Sequence, residues 1–478
     1  MPLDPARNTL PKTLEHVHLM GICGTGMAAL AGMLRERGYQ VTGSDENVYP
    51  PMSDFLAGNG IPVMKGYAPE NLHPEPDLVI VGNVIRAVNP EAVHLGELGL
   101  PYLSMPQALG HFFLKDCTPL VVAGTHGKTT TSSLLATALY RAGQDPSFMI
   151  GGLVEAFGRN YRLGRGGLFV VEGDEYDTAF FNKVSKFLHY RPHYAILTSI
   201  EFDHADIFAD LESIRRSFTE FVSLIPGEGT LICCLDDPLV AAVAEGASCP
   251  VIGYGQGEAA DWRVENIRIS GLQTRFDVVH RGRLHGRYEL PMPGRHNALN
   301  ATAVIALLDH LGVERRAIRH GLATFEGVKR RQQVRGEVNG IMVLDDFAHH
   351  PTAVAETIAA LREGWPQRRL IIVFEPRTQS SRRSVFQEQY SRAFFGADLV
   401  LVREIVPLET VSPDERFSSR RLAEDLQQHG IAARYFPDTT KILDYLQAVS
   451  APGDIIAVLS NGGFDNIHTR LLDRLARA

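Results

Sequence analysis

Hydrophobic residues in this chain gather into short unbroken runs, and each run breaks into a glycine-rich, polar or acidic loop. His16–Met20, Gln40–Asp45 and Leu78–Val81 come first, with a helical stretch after Met20 that reaches about Arg37. Leu120–Val122, Leu168–Val171 and Ala195–Ile200 follow, with a helical pattern over Ser132–Tyr140; the last runs are 341–345, 370–374, 398–402 and 455–459. A continuous apolar run bounded by turn residues predicts a strand buried on both faces, as in a parallel sheet covered by helices. Strand and helix patterns alternate, which predicts an α/β fold with mostly parallel sheets.

Punctuation divides the series. Asp116–Pro119 reads as one junction, and the basic stretch 327–337 precedes a fresh strand. The expected domains are therefore 1–115, 116–333 and 334–478, a number that suits a chain of 478 residues.

Parallel sheets bind ligands at the carboxyl ends of their strands, so the residues after each run carry the candidate chemistry. The first run ends in Gly21-Ile-Cys-Gly24-Thr25-Gly26, and Asp45 closes the next strand. This is similar to a dinucleotide fingerprint, but Ala29 holds the place of its last glycine. A diphosphate site is favoured over NAD, with a ligand-free strand–helix turn as the alternative.

After Leu120–Val122 comes Gly124-Thr125-His126-Gly127-Lys128-Thr129-Thr130. Glycines there let backbone N–H groups approach phosphate oxygens, and a following helix N-terminus favours negative charge. Lys128 would reach terminal phosphates, and the Thr129 hydroxyl is placed for Mg²⁺. Val122 stands where the common pattern has its first glycine.

Leu168–Val171 ends in Glu172-Gly-Asp174-Glu175-Tyr-Asp177. Glu172, nearest the strand end, is the candidate metal carboxylate; a solvated loop is the bland reading, preferred for Asp174 and Asp177. His204, in Glu201-Phe-Asp203-His204, sits at an equivalent strand end and becomes a candidate for metal or phosphate. Gly294-Arg-His296-Asn297 opens a helix to about Leu311; His296 and Asn297 either cap it or meet a purine edge, and position alone leaves both open. The last domain offers Asp345-Asp346-Phe-Ala-His349-His350, Glu375-Pro-Arg377 and Ser460–Gly463.

Composition narrows the partners. A net charge of −8 argues against nucleic acid or an anionic membrane surface. Five cysteines without a C-x-x-C pair suit neither a disulfide framework nor structural zinc. With no apolar run of signal or membrane-span length, the expected location is the cytoplasm.

Taken together, these motifs resemble the Mur ligase family, the ATP-dependent amide-forming enzymes of peptidoglycan assembly. The resemblance implies a Rossmann-like N-terminal domain, a central P-loop domain that binds ATP and a Rossmann-like C-terminal domain. Gly294–Ala301 and Asp345–Pro351 look most like the branch whose carboxyl donor is UDP-N-acetylmuramate. Within it, Val48–Ser53, Lys186–Tyr190, Glu201–Phe208 and Ser460–Gly463 favour the member that reattaches the recycled murein tripeptide L-Ala-γ-D-Glu-meso-diaminopimelate. The alternative is the member that adds L-alanine, which typically reads His-Arg-Tyr where this chain has Arg377-Thr378-Gln379.

By resemblance, Gly24, Thr25 and Gly26 hold the UDP diphosphate, with Asp45 nearby on the nucleotide. Lys128 binds the β- and γ-phosphates within the loop Gly124–Thr130. Thr129, Glu172 and His204 serve Mg²⁺, so Lys128, Glu172 and His204 form the catalytic set. His296 and Asn297 contact the ATP base, Asp346 and His349 lie on a loop that closes over ATP, and Arg377 faces the peptide. Many members carry a carbamylated lysine after the Asp-His pair; Ser213–Phe218 holds none, so no carbamate is expected. A monomer or weak homo-oligomer is expected. Outside this family, a regulatory ATPase and an NAD-dependent dehydrogenase are the competing readings.

Overall fold

The computed structural model describes residues 3–50, 52–408 and 411–477. Met1, Pro2 and Pro51, which belong to two of the stretches quoted above, lie outside the described residues. The chain forms two compact units. One runs up to Leu153 and takes in Phe157–Ile200 and Ile214–Ile252; the other takes in Val154–Ala156, Glu201–Ser213 and the chain from Gly253 onward.

Two parallel sheets build most of the first unit, beside a small antiparallel pair, Asp177–Ala179 with Asn182–Ser185. Val63–Lys65, Gln40–Asp45, His16–Met20, Leu78–Val81 and Tyr102–Ser104 lie side by side in that order, all parallel. In the second, the order is Thr230–Cys234, Tyr194–Leu197, Thr118–Ala123, Leu168–Gly173 and Ser147–Val154, again parallel, with Arg159–Arg162 at the edge. Leu78–Val81 is buried at every position, as expected of a strand covered on both faces.

Two expected boundaries move. The helix forecast from Ser132 begins at Lys128 and runs to Arg141, directly after Gly127. Its β-branched threonines have low helix propensity, yet Thr129, Thr130 and Thr131 are buried against the sheet, and packing overrides propensity. The strand forecast to Ile200 stops at Leu197. Thr198 and Ser199 bond instead to the loop after Ala123: Thr198 Oγ1 donates to His126 O at 2.5 Å, and Thr125 N donates to Ser199 O at 2.9 Å.

In the second unit, Gln333–Val338, Ile341–Asp346, Ile455–Leu459, Leu370–Phe374, Leu399–Arg403 and Ala432–Phe436 form a sheet in that order. Only the first pairing, Gln333–Val338 with Ile341–Asp346, is antiparallel. Alternate residues of each strand feed opposite cores: Met342 and Leu344 pack with Ile372 and Phe374, while Ile341 and Val343 pack with Ile371 and Val373. The unit also holds an antiparallel meander, Trp262–Ser270, Gln273–His280 and Arg283–Leu290. The fold class is the expected α/β with parallel sheets.

Candidate active site

The phosphate loop of the first unit owes its shape to two glycines. Gly124 has φ +133° and Gly127 φ +80°. A Cβ on Gly124 would stand 2.1 Å from Thr198 Oγ1 and 2.9 Å from Ser199 N, so only glycine lets the loop lie on the neighbouring strand end. His126 N donates to Ser199 Oγ at 3.0 Å. Gly127 caps the helix without a side chain, which leaves its first N–H groups aimed into the loop.

Lys128 is turned into this cradle. Its Nζ donates to Gly124 O at 2.7 Å and to Glu175 Oε2 at 2.8 Å, and Glu175 is only 2% exposed. Burial works against the ammonium charge, but the carboxylates of Glu175, Asp174 and Glu172 outweigh it and raise the lysine pKa. Thr129 Oγ1 donates to Glu172 Oε1 at 2.8 Å, and Glu172 Oε2 accepts Gly151 N–H at 2.7 Å. Burial, then Asp174, pushes the Glu172 pKa up, opposed by Lys128. The solvated-loop reading of the acids therefore fails for Asp174 as well: it accepts Lys186 Nζ at 3.2 Å, and both side chains are largely covered. Asp177 pairs at 2.5 Å with the exposed Lys183.

At the other loop of this unit, Gly24 caps the helix Thr25–Glu36 with no side-chain hydrogen bond, and Gly24 and Thr25 are exposed. Asp45, expected near the nucleotide, accepts Cys23 N–H and Asn47 N–H, both at 2.9 Å. Its carboxylate holds the glycine loop in shape. Beneath it, the fully buried Glu91 accepts from Ser44 Oγ and Asn71 Nδ2 and contacts His18 Nε2 at 2.9 Å.

The second unit holds the remaining candidates. His204 adopts φ +52°. Its N–H donates to Asp203 Oδ1 at 2.6 Å, and His349 Nε2 lies 4.0 Å from Asp203 Oδ2. Burial would raise the Asp203 pKa, but His204, His349 and His350 more than reverse this and hold it well below the usual carboxylate range. His350 Nδ1 accepts Thr352 N–H, so its Nε2 carries the proton and donates to Phe202 O at 3.2 Å. These bonds bring the segment after Ile200 and the Phe347–Thr352 loop together.

Asp346 is 5% exposed and accepts Gln332 N–H at 2.7 Å and Ala348 N–H at 2.8 Å. Burial is the main reason its pKa rises. Asn297 does not cap its helix; the side chain donates to Pro293 O and to Gln332 Oε1. Among the described residues, Gln332 Nε2 is buried with no partner. Half-buried His296 opens the same helix and is a minor influence against the burial that raises the Asp346 pKa. Arg377 is exposed and makes no side-chain hydrogen bond among the described residues. It passes so close to Gly462 that a Cβ there would meet Arg377 Cδ at 2.3 Å. Glu375, Arg403 and Ser460 form a buried network behind it.

Three stretches match known domains: residues 16–116 the "Mur ligase family, catalytic domain", 122–308 the "Mur ligase middle domain" and 330–462 the "Mur ligase, glutamate ligase domain". The chain is 39% identical to the UDP-N-acetylmuramate–L-alanyl-γ-D-glutamyl-meso-2,6-diaminoheptandioate ligase of Escherichia coli, over 96% of this chain and 98% of that one. The chain belongs to the Mur ligase family. This Mur ligase is also 38% identical to a UDP-N-acetylmuramate–L-alanine ligase of Salinibacter ruber, over 94% of this chain and 92% of that one. A crystal structure of a murein peptide ligase from Psychrobacter arcticus superposes with a TM-score of 0.72 at 34% identity, covering 97% and 99% of the two chains.

Mur ligases are ATP-dependent amide-forming ligases, and the donor set here fits both nucleotide and metal. In the first unit, a glycine-shaped backbone, a charged lysine and a helix N-terminus without a side-chain cap suit a triphosphate; in the second, taken by itself, Gln332 Nε2, buried beside Asn297 without a partner among the described residues, suits a hydrogen-bonding base. Thr129 Oγ1 and Glu172 Oε1 are hard oxygen donors of the type Mg²⁺ takes.

Sequence reasoning missed Glu175, Gln332 and Asp203. Glu175 left a signal: a lysine buried behind a phosphate loop needs a buried counter-ion, and four acids follow the adjacent strand. Gln332 left none, since its place depends on a positive-φ turn at 330–332.

Proposed function

We propose that this Mur ligase joins L-Ala-γ-D-Glu-meso-diaminopimelate to the carboxylate of UDP-N-acetylmuramate, returning recycled peptide to cell-wall synthesis. The observation that carries it is near-full-length identity of 39% to an enzyme named for that reaction. The L-alanine-adding reading draws on the 38% relative; the Arg377-Thr378-Gln379 and Ser460–Gly463 segments weigh for the tripeptide.

In this reading 1–115 binds the UDP-sugar, 116–333 binds ATP and 334–478 takes the acceptor. Gly24, Thr25 and Gly26 would hold the diphosphate, on a loop kept in shape by Asp45 and by the Gly24 N–H, which donates to Gly21 O at 3.3 Å. Gly124–Thr130 would cradle the ATP phosphates, with Lys128 neutralising charge on the transferring group. Thr129 and Glu172, joined by a hydrogen bond of 2.8 Å, would trade that bond for Mg²⁺, with His204 as the third protein contact. His296 and Asn297 would meet the base, and Asp346 would hold the loop that bears His349. Arg377 would receive the acceptor's carboxylate. ATP supplies the phosphoryl group that turns a carboxylate oxygen into a leaving group, as an acyl phosphate open to the peptide amine. The partners are these small molecules, not nucleic acid or membrane, and the location is the cytoplasm. No helix among the described residues is long and apolar enough to cross a membrane. The expected state is a monomer or weak homo-oligomer.

Phosphate release from ATP with UDP-N-acetylmuramate and Mg²⁺ tests this. Release with the tripeptide and not with L-alanine is expected. Release with alanine alone would move the chain to the alanine-adding branch.

A further inference from the structure

At the end of the first unit's second sheet away from the phosphate loop lies a cavity of about 630 Å³. Thr118 and Pro119 open the strand whose far end, Ala123, leads into that loop, which places the cavity about 17 Å from Gly124. Its size falls within the range of small-molecule sites. The walls come from the Gly110–Cys117 segment and from Leu188–His193. Leu114, Leu188 and Leu224 supply an apolar side.

The polar side is mainly basic, with Gln107, Thr118 and Tyr190 beside the basic groups. His111, Lys115, His189, Arg191 and His193 line it, with no aspartate or glutamate among them. His111, Lys115 and Arg191 are exposed at the mouth, and none of the three makes a side-chain hydrogen bond or ion pair among the described residues. Burial, then Lys115 and Arg191, lowers the His111 pKa; burial, then His111, lowers that of His189. Both imidazoles are thereby pushed toward their neutral form, which leaves Lys115 and Arg191 as the charged groups of this wall and His111 as a ring N–H donor. The neighbouring acid, Asp116, acts on Cys117, where Arg37 opposes it. Arg191 also holds φ +46°, a left-handed conformation that side-chain-bearing residues keep only when their surroundings impose it. The two walls touch: a Cβ on Gly110 would come within 2.7 Å of His189 O.

We propose that this cavity is a second ligand site, built for a small organic phosphate monoester whose body rests on Leu114, Leu188 and Leu224 and whose phosphate meets Lys115, Arg191 and His111. An apolar wall facing clustered unpaired cations suits an anion with a hydrophobic body, and an arginine beside a lysine suits phosphate oxygens. Such a ligand bridges the chain that leaves the first sheet and the chain that enters the second, so its occupancy stiffens the junction 110–118.

Phenyl phosphate is the probe, titrated by calorimetry into the full chain with the phosphate loop filled by a Mg²⁺-bound, non-hydrolysable ATP analogue. Saturable binding at one site is expected, weakened about tenfold or more by Lys115→Gln or Arg191→Gln. Binding should persist in Lys128→Ala, and both surface variants should keep the parent's ATP turnover. Absence of saturable heat, affinity unchanged in both surface variants, loss of binding in Lys128→Ala, or equal affinity for phenol would each overturn the proposal.

Discussion

The loop around Lys128 and the rim around Arg377 are made alike, each a turn after the carboxyl end of a parallel strand, yet they are finished to opposite standards. Around Lys128 the reactive side chains are already paired: the ammonium holds Glu175 and Gly124, Thr129 holds Glu172, and Glu172 takes Gly151 N–H. Arg377 stands exposed without a side-chain partner among the described residues, although the network of Glu375, Arg403 and Ser460 behind it is buried. Phosphate chemistry common to a family rewards a site built in advance, because preorganised charge needs no rearrangement during the reaction. A rim that selects the acceptor gains by leaving its charge for the acceptor to pair.

If that contrast is right, damage to the two places should read out differently. Lys128→Ala should cost about 10³-fold or more in turnover. It also takes the lysine partner from the buried Glu175, so stability should fall by about 1–3 kcal/mol in denaturant titration. Lys128→Met with Glu175→Gln should regain most of that stability and none of the turnover; recovered turnover would break the comparison. Arg377→Ala should lower kcat/KM for the acceptor by about 10- to 100-fold, the worth of one charged hydrogen bond, with an unchanged melting temperature. Loss of stability equal to that of the lysine variant would erase the distinction.

Two smaller effects sharpen it. Gly462→Ala places a methyl on the path of Arg377 Cδ and should raise the acceptor KM less than removal of the arginine does, by about threefold to tenfold. Asp203→Asn probes the prebuilt kind of contact in the second unit. The folded pKa of Asp203 is depressed, so its contribution is present above the unfolded carboxylate value near 4 and is lost as pH falls through the folded value. The variant should be about 1–2 kcal/mol less stable near neutral pH, and the gap should close as pH falls below about 4. A gap that stays constant down to pH 2 would show that the charge of Asp203 is not what stabilises the fold.

The same contrast explains what was legible in the sequence. Parallel strands buried on both faces show as unbroken apolar runs, so His16–Met20, Leu78–Val81, Leu370–Phe374 and Ile455–Leu459 could be read directly. The meander of Trp262–Leu290 could not, because its strands bury only alternate residues and carry several arginines. Lys128, Thr129 and Glu172 were visible because chemistry constrains their spacing to glycines and strand ends. Glu175 and Gln332 matter through where the chain puts them, and Asp45 and Asp346 were identified as positions while the inward turn of their carboxylates was not.

The path of the backbone between the two units has a practical consequence. It changes unit at Leu153, Ala156, Ile200, Ser213 and Ile252, so that Glu201–Ser213 belongs to one unit while the residues on both sides belong to the other. No single scission yields two intact halves. A fragment that stops at Ile252 carries Asp203 and His204 without His349, and one that starts at Gly253 carries His349 without them. Limited proteolysis should therefore leave either the whole enzyme or fragments that fail to hold structure, and isolated pieces are poor stand-ins for the chain in any ligand screen.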